Sequence, residues 1–196
     1  MSDALIILLA GGFGYLFGSV PFGLIFTRIG GKGDIRDIGS GNIGATNVLR
    51  SGSKVLALAT LLADAAKGGL AVALVWRLGN DQAALFAGLA ALIGHLFPVW
   101  LNFKGGKGVA VFMGAILIMS PFTGIVFLLV WLLVALAFRR SSLAAITAMV
   151  LSLPLLVFLG ELDTFGFTFL MVALSLWAHR QNIARLRTGT EPKIGQ

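Results

Sequence analysis

Apolar residues run along the chain in blocks, not at every second or every third-to-fourth position, and each block is long enough to be a helix buried on all sides by something other than water. A membrane-crossing helix needs about 20 mostly apolar residues. On that measure spans are expected near 4–26, 55–76, 83–101, 109–119, 122–138, 143–159 and 164–178, with the fourth short for an ordinary bilayer. The stretch 109–138 has Pro121 near its middle and is expected to cross twice. The pattern predicts an all-α polytopic membrane helix bundle of about seven transmembrane helices in a single domain, residues 1–196.

Composition agrees. Hydrophobic residues make up 58% of the 196, charged residues 12%, and mean hydropathy is +0.96, whereas a soluble chain carries roughly 25% charged residues. The first block has no basic segment ahead of it and no cleavage pattern behind it, so it is expected to be a retained span and not a signal peptide. Without cysteine, neither a disulfide framework nor thiolate chemistry is available.

A net charge of +7 would suggest nucleic acid in a soluble protein. Here the cations sort by side, as orientation in a membrane requires. Arg28, Lys32, Arg36, Arg50, Lys54, Lys104, Lys107, Arg139, Arg140, Arg180, Arg185, Arg187 and Lys193 fall in one set of loops, thirteen of the fifteen Lys and Arg. The opposite set holds Arg77 beside Asp3, Asp81, Glu161 and Asp163. The N-terminus is therefore expected outside and the C-terminus in the cytoplasm, with no nucleic-acid partner.

Four polar segments fall on the basic side. In GSGNIGATNVLR, 39–50, glycines such as Gly41 and Gly44 allow close backbone approach and positive φ, so that N–H groups can converge on an anion. Ser40, Asn42, Thr46 and Asn47 add neutral donors there. In FKGGKGVA, 103–110, Gly105, Gly106 and Gly108 surround Lys107 just before an apolar helix. A glycine turn feeding a helix N-terminus is a ready anion site. The order is not that of a nucleotide-binding P-loop, since Val109 stands where Ser or Thr should follow. HRQN, 179–182, puts His179 and Asn182 on one face of a continuing helix. RRSSLAAIT, 139–147, offers Ser141 and Ser142 as helix caps.

Within the spans, Asp64 and Lys67 are three apart and are expected to form a structural ion pair. His95, ahead of Pro98, is expected to satisfy backbone freed by the proline. There is no metal-ligating cluster and no nucleophile elbow, so no metal or cofactor and no Ser-His-Asp hydrolysis are expected. Anion cradles at one membrane face beneath apolar helices imply a ligand with an anionic head and a hydrophobic tail.

The motifs GSGNIGATN, GHLFPVWLNFKGGKGVA, SLAAIT and HRQNIARLRTG, in this order and spacing, closely resemble the bacterial integral-membrane glycerol-3-phosphate acyltransferases that use acyl phosphate, the PlsY family, over about residues 16–189. The resemblance implies seven spans with the N-terminus outside, location in the bacterial cytoplasmic (inner) membrane, and an active site at the cytoplasmic face. It implies acyl transfer from acyl phosphate to the 1-hydroxyl of glycerol 3-phosphate, giving lysophosphatidic acid and phosphate at the start of phospholipid synthesis. It further implies catalytic roles for His179, Lys107, Asn182 and Ser40, and substrate binding by Arg50, Gly41, Asn42, Gly44, Asn47, Gly105, Gly106, Gly108, Ser142 and Arg180. The loop around Lys107 would hold a phosphate, that of the acyl donor. The family often reads Ser-Leu-Ala-Ser where this chain has Ala145 last, so a role for that second serine does not transfer and Ser142 is its replacement.

The His-x4-Asp pair of other acyltransferases is absent, because Trp100 and Ala184 stand five residues beyond His95 and His179. The base is then either His179 or a substrate phosphate, with His179 otherwise positioning the glycerol phosphate. A transporter or channel for phosphorylated anions is the competing class. Against it stand anion-binding groups at one face instead of the midplane and no evident inverted repeat. A lipid-binding scaffold is a third.

Overall fold

The computed structural model describes residues 2–195; residues 1 and 196 of the expected domain lie outside the described residues. It is all-helical among the described residues: α1 (Asp3–Gly18), α2 (Phe22–Ile29), α3 (Ala45–Arg50), α4 (Lys54–Trp76), α5 (Asp81–Leu96), α6 (Val109–Met119), α7 (Pro121–Phe138), α8 (Ser141–Phe158), α9 (Leu162–Ala178) and α10 (Arg180–Arg187). Five stretches are long and apolar enough to cross a membrane, Asp3–Ile29, Lys54–Trp76, Asp81–Leu101, Pro121–Phe138 and Ser141–Phe158. The bent pair α9 and α10 makes a sixth. Large apolar side chains such as Leu8, Leu133, Leu136 and Phe158 face outward, as lipid contact requires.

α5 is the most enclosed span, α4 packs against α1, α5 and α6, and α9 closes on α5 and α8. Lipid supplies no hydrophobic force between helices, so close packing must do so, and small residues permit it. Gly14 and Gly18 of α1 lie against the backbone of Ala87 and Ala91 in α5, and Gly68 and Gly114 bring α4 and α6 into similar contact. A methyl at any of these four would strike main chain.

Four expectations change. The block 4–26 is not one helix: it breaks at Ser19–Pro21, because Pro21 lacks an N–H and its ring clashes with the preceding turn. The third block stops at Leu96 before Pro98 and finishes as a 3₁₀ turn, Val99–Leu101. The last helix does not continue through HRQN but bends by 63° at His179. The Asp64–Lys67 pair does form, Nζ to Oδ1 at 2.7 Å with both side chains buried. His95 departs from its expected use. Tyr15 donates its hydroxyl to the Phe97 carbonyl at 2.9 Å, while the His95 ring packs on Gly106.

Candidate active site

Segments far apart in sequence meet at one end of the bundle around a cavity of about 1320 Å³. It is lined by the 39–50 loop, the 103–110 loop, the start of α8, the α9–α10 bend and the tail from Glu191. Every predicted site residue lies on its wall: Ser40, Gly41, Asn42, Gly44, Asn47, Arg50, Gly105, Gly106, Lys107, Gly108, Ser142, His179, Arg180 and Asn182.

The 39–44 segment stays irregular and α3 begins at Ala45. Gly39 and Gly41 take positive φ, +58° and +67°, which side chains rarely adopt. Gly44 does not; it is the residue ahead of α3 with φ −83°. The loop is organised by Asn47, whose Oδ1 accepts the Ser40 N–H at 3.0 Å and whose Nδ2 donates to the carbonyls of Ile35, Ile38 and Asn42 at 2.9, 3.0 and 2.8 Å. Asn42 turns back to accept the Gly44 N–H at 2.9 Å. The Asn47 amide and the Asn42 Oδ1 are thus occupied in shaping the loop, and Arg50, whose stem lies along Gly39, supplies its charge. Thr46 meets Ser141 at 3.2 Å, joining this loop to the start of α8.

The glycines around Lys107 are used differently from the simple cradle the sequence offers. Gly105 and Gly106 donate their N–H groups to the Leu96 and His95 carbonyls, each at 3.0 Å, closing the C-terminal end of α5. No side chain would fit, because a Cβ at Gly105 meets those carbonyls and one at Gly106 meets the His95 ring. Gly108 has φ +78° and leads into α6, whose first turn has no side-chain cap. The open N–H groups are therefore those of the α6 N-terminus, with a positive dipole end beside Lys107. Burial pushes Lys107 down to about 8, with Glu191 opposing that shift and Arg185 and Arg50 adding to it. Among the described residues no carboxylate forms an ion pair with Lys107 or Arg50.

At the α9–α10 bend His179 is buried, its Nδ1 2.7 Å from the Ser175 carbonyl. That contact needs the proton on Nδ1 and leaves Nε2 an acceptor. Burial pushes His179 down to about 4, the Ser175 hydrogen bond opposing, so the ring is neutral near pH 7. Arg180 stacks on Trp177, 4.2 Å from the ring centre, and donates to the Trp177 carbonyl at 3.1 Å.

Glu191 and Arg185 were not foreseen from the sequence. The Glu191 carboxylate accepts from Ser142 Oγ at 2.5 Å, Asn182 Nδ2 at 2.6 Å and Arg185 Nε at 2.7 Å. Burial alone would raise its pKa, but these hydrogen bonds hold it below the usual range. The signal was a carboxylate in the otherwise basic tail, RTGTEPK. Ser142 and Asn182 therefore already hold one anionic group, and the tail is fastened by the Ile194 N–H to the Arg139 carbonyl at 2.6 Å. Ala145 lies one helical turn beyond Ser142 on the cavity wall. Beyond the polar groups the wall turns apolar, with Leu61, Met113, Phe127, Leu128 and Trp131. Among the described residues no three His, Asp or Glu cluster as metal ligands.

Comparison with known proteins agrees with this geometry. The glycerol-3-phosphate acyltransferase family pattern matches residues 6–189. Relatives described as glycerol-3-phosphate acyltransferase include one from Agrobacterium fabrum, 55% identical over 93% of this chain and 89% of its own length. Another, from Caulobacter vibrioides, is 56% identical over 93% of this chain and 85% of its own. A crystal structure of PlsY (YgiH), an integral membrane glycerol 3-phosphate acyltransferase in its glycerol 3-phosphate form, superposes with a TM-score of 0.91 at 37% identity, covering 96% of both chains. Its lysophosphatidic acid form gives 0.89 at 36%. The chain belongs to the glycerol-3-phosphate acyltransferase family of integral membrane enzymes.

Proposed function

We propose that this acyltransferase moves a fatty acyl group from acyl phosphate to the 1-hydroxyl of glycerol 3-phosphate, releasing lysophosphatidic acid and inorganic phosphate. The observation that carries the reading is the cavity itself. Lys107, the open α6 N-terminus and Arg50 stand at its polar end, and the same space runs on to Met113, Phe127 and Trp131. That is the shape of a ligand with a phosphate at one end and a hydrocarbon chain at the other.

Acyl phosphate is a mixed anhydride, so its leaving group needs little help and no covalent enzyme intermediate. Lys107 and the α6 N–H groups stabilise the departing phosphate and the oxyanion, while Arg50 and Ser40 hold the glycerol phosphate in line. The hydroxyl oxygen bonds to the acyl carbon, the acyl–oxygen bond to phosphate breaks, and the hydroxyl proton ends on phosphate. His179 has its Nδ1 committed to the Ser175 carbonyl, which leaves Nε2 as its one acceptor. It therefore orients the attacking hydroxyl through Nε2. Asn182 and Ser142 keep Glu191 and the tail in place beside the donor, with Arg180 at the rim. Asn42, Asn47, Gly41 and Gly44 shape the loop that presents Ser40. Ala145 gives the cavity a methyl at this point, and the Ser142 hydroxyl one turn before it is engaged by Glu191.

The chain works as one domain, residues 1–196, in the bacterial inner membrane. It has seven crossings counting α6, the N-terminus outside, and the cavity facing the cytoplasm, where the cations gather. The test is purified protein given acyl phosphate and glycerol 3-phosphate. Lysophosphatidate formation is expected. Product from an acyl thioester but not from acyl phosphate would replace the donor, and no product from either across chain lengths, in folded protein, would favour anion transport.

A further inference from the structure

A buried ionisable cluster that the reaction leaves unused lies inside the bundle, directly behind the Lys107 loop. We propose that Asp64, Lys67 and His95 form a positioning network that sets where the 105–108 loop, and hence Lys107, stands in the cavity. This rests on the reading of that loop as a phosphate site.

His95, in the last turn of α5, braces the loop twice. Its carbonyl accepts the Gly106 N–H at 3.0 Å, and its Nε2 edge fills the space a Gly106 side chain would need. The other ring nitrogen, Nδ1, is 3.7 Å from Asp64 Oδ1, too long for a hydrogen bond. Among the described residues the buried His95 Nδ1 has no hydrogen-bond partner, while Asp64 Oδ1 has the Lys67 ammonium. Asp64 is fixed in turn by Lys67, whose Nζ also donates to the Val20 carbonyl at 2.7 Å. Val20 lies in the break between α1 and α2. Gly23 of α2 touches the Ile43 carbonyl of the other loop.

Neighbouring groups therefore run from the 105–108 loop through His95, Asp64 and Lys67 to the Val20–Gly23 segment and the 39–47 loop, with a 3.7 Å separation between His95 and Asp64. Ionisable groups at this depth are expensive, and an ion pair serving only to hold helices together is often replaceable by apolar residues without loss. Both Asp64 and His95 reach the cavity wall, where a bundle fastener would have no reason to be. A displacement of about 1 Å in a positioned catalytic group can cost around 10²-fold in rate, so bracing the loop matters to turnover.

The experiment measures kcat and the KM of each substrate for His95→Ala, His95→Gln, Asp64→Asn, Gly106→Ala and the double variant His95→Ala/Gly106→Ala. Tm and monodispersity in detergent report the fold. Expected are at least tenfold losses in kcat/KM for folded His95→Ala and Asp64→Asn, a larger loss for Gly106→Ala, and recovery of the double variant to the level of His95→Ala, because removing the ring makes room for the methyl. Unchanged kinetics in folded His95→Ala and Asp64→Asn would overturn the proposal, as would a double variant no better than Gly106→Ala. Loss of fold in every variant would overturn it too, since the network would then hold the bundle and not the loop. Lys107→Ala separates the two readings. If it weakens the enzyme while the His95 and Asp64 variants do not, only the network fails; if it too leaves kinetics intact, the phosphate site falls and the network with it.

Discussion

The two ends of the bundle are built from the same kinds of residue and do different things. At the end where α4 meets α5 and α8 meets α9, the turns are short. Asn80 caps the α5 N-terminus through the Ala83 N–H at 2.8 Å, Trp76 donates to Asp81 at 2.7 Å, and the associated pocket is only about 300 Å³. Its acidic residues, Asp81, Glu161 and Asp163, border that shallow pocket. At the other end α5 and α6 stop short, long glycine loops fold inward, and the cavity is about 1320 Å³. A charge there meets other charges directly, as Glu191 meets Arg185 at 2.7 Å. What distinguishes a working end from a hairpin end is thus not polarity but whether the backbone gives up helix to enclose the polar groups.

Lys107→Ala should break the difference most, cutting kcat/KM by about 10² to 10³, the range for removing one group that stabilises developing charge, with Tm little changed. Next comes His179→Ala, expected to lower kcat by about tenfold while leaving the acid side of the pH profile in place. A loss of 10² to 10⁴ would instead make the histidine the general base. The pH dependence is subtler. With Lys107 at about 8, its charge is lost as pH rises through that value, so the KM of a phosphate-bearing substrate should climb several-fold above pH 8. Lys107→Arg, charged throughout, should flatten that rise even where its rate is lower. The smallest effect should come from the hairpin end, where Asp81→Asn and Glu161→Gln should leave kcat/KM within about twofold. A tenfold loss there would mean the two ends are coupled.

Much of this was legible in the chain. Apolar blocks of this kind, 11 to 23 residues long here, can only be satisfied in lipid as helices, because no water is available for their backbone, and all seven predicted segments are largely helical. GSGNIGATN and KGGKGVA announced themselves because glycines are costly in a helix and must be there for another reason. Illegible were the uses those residues found. Asn47 reads as a ligand donor but spends its amide on three carbonyls of its own loop. Gly105 and Gly106 read as an anion cradle but spend their N–H groups on α5.

The sequence by itself determined the helices, the sorting of charge and the polar segments that line the cavity, since hydropathy, glycine cost and charge are local properties of the chain. Only the tertiary structure decided that His95 braces Gly106, that Glu191 occupies Ser142, Asn182 and Arg185, and that His179 keeps a free Nε2. Those outcomes depend on which groups helix packing brings within about 3 Å, and residues 49 positions apart, such as Ser142 and Glu191, leave no periodic trace of their meeting.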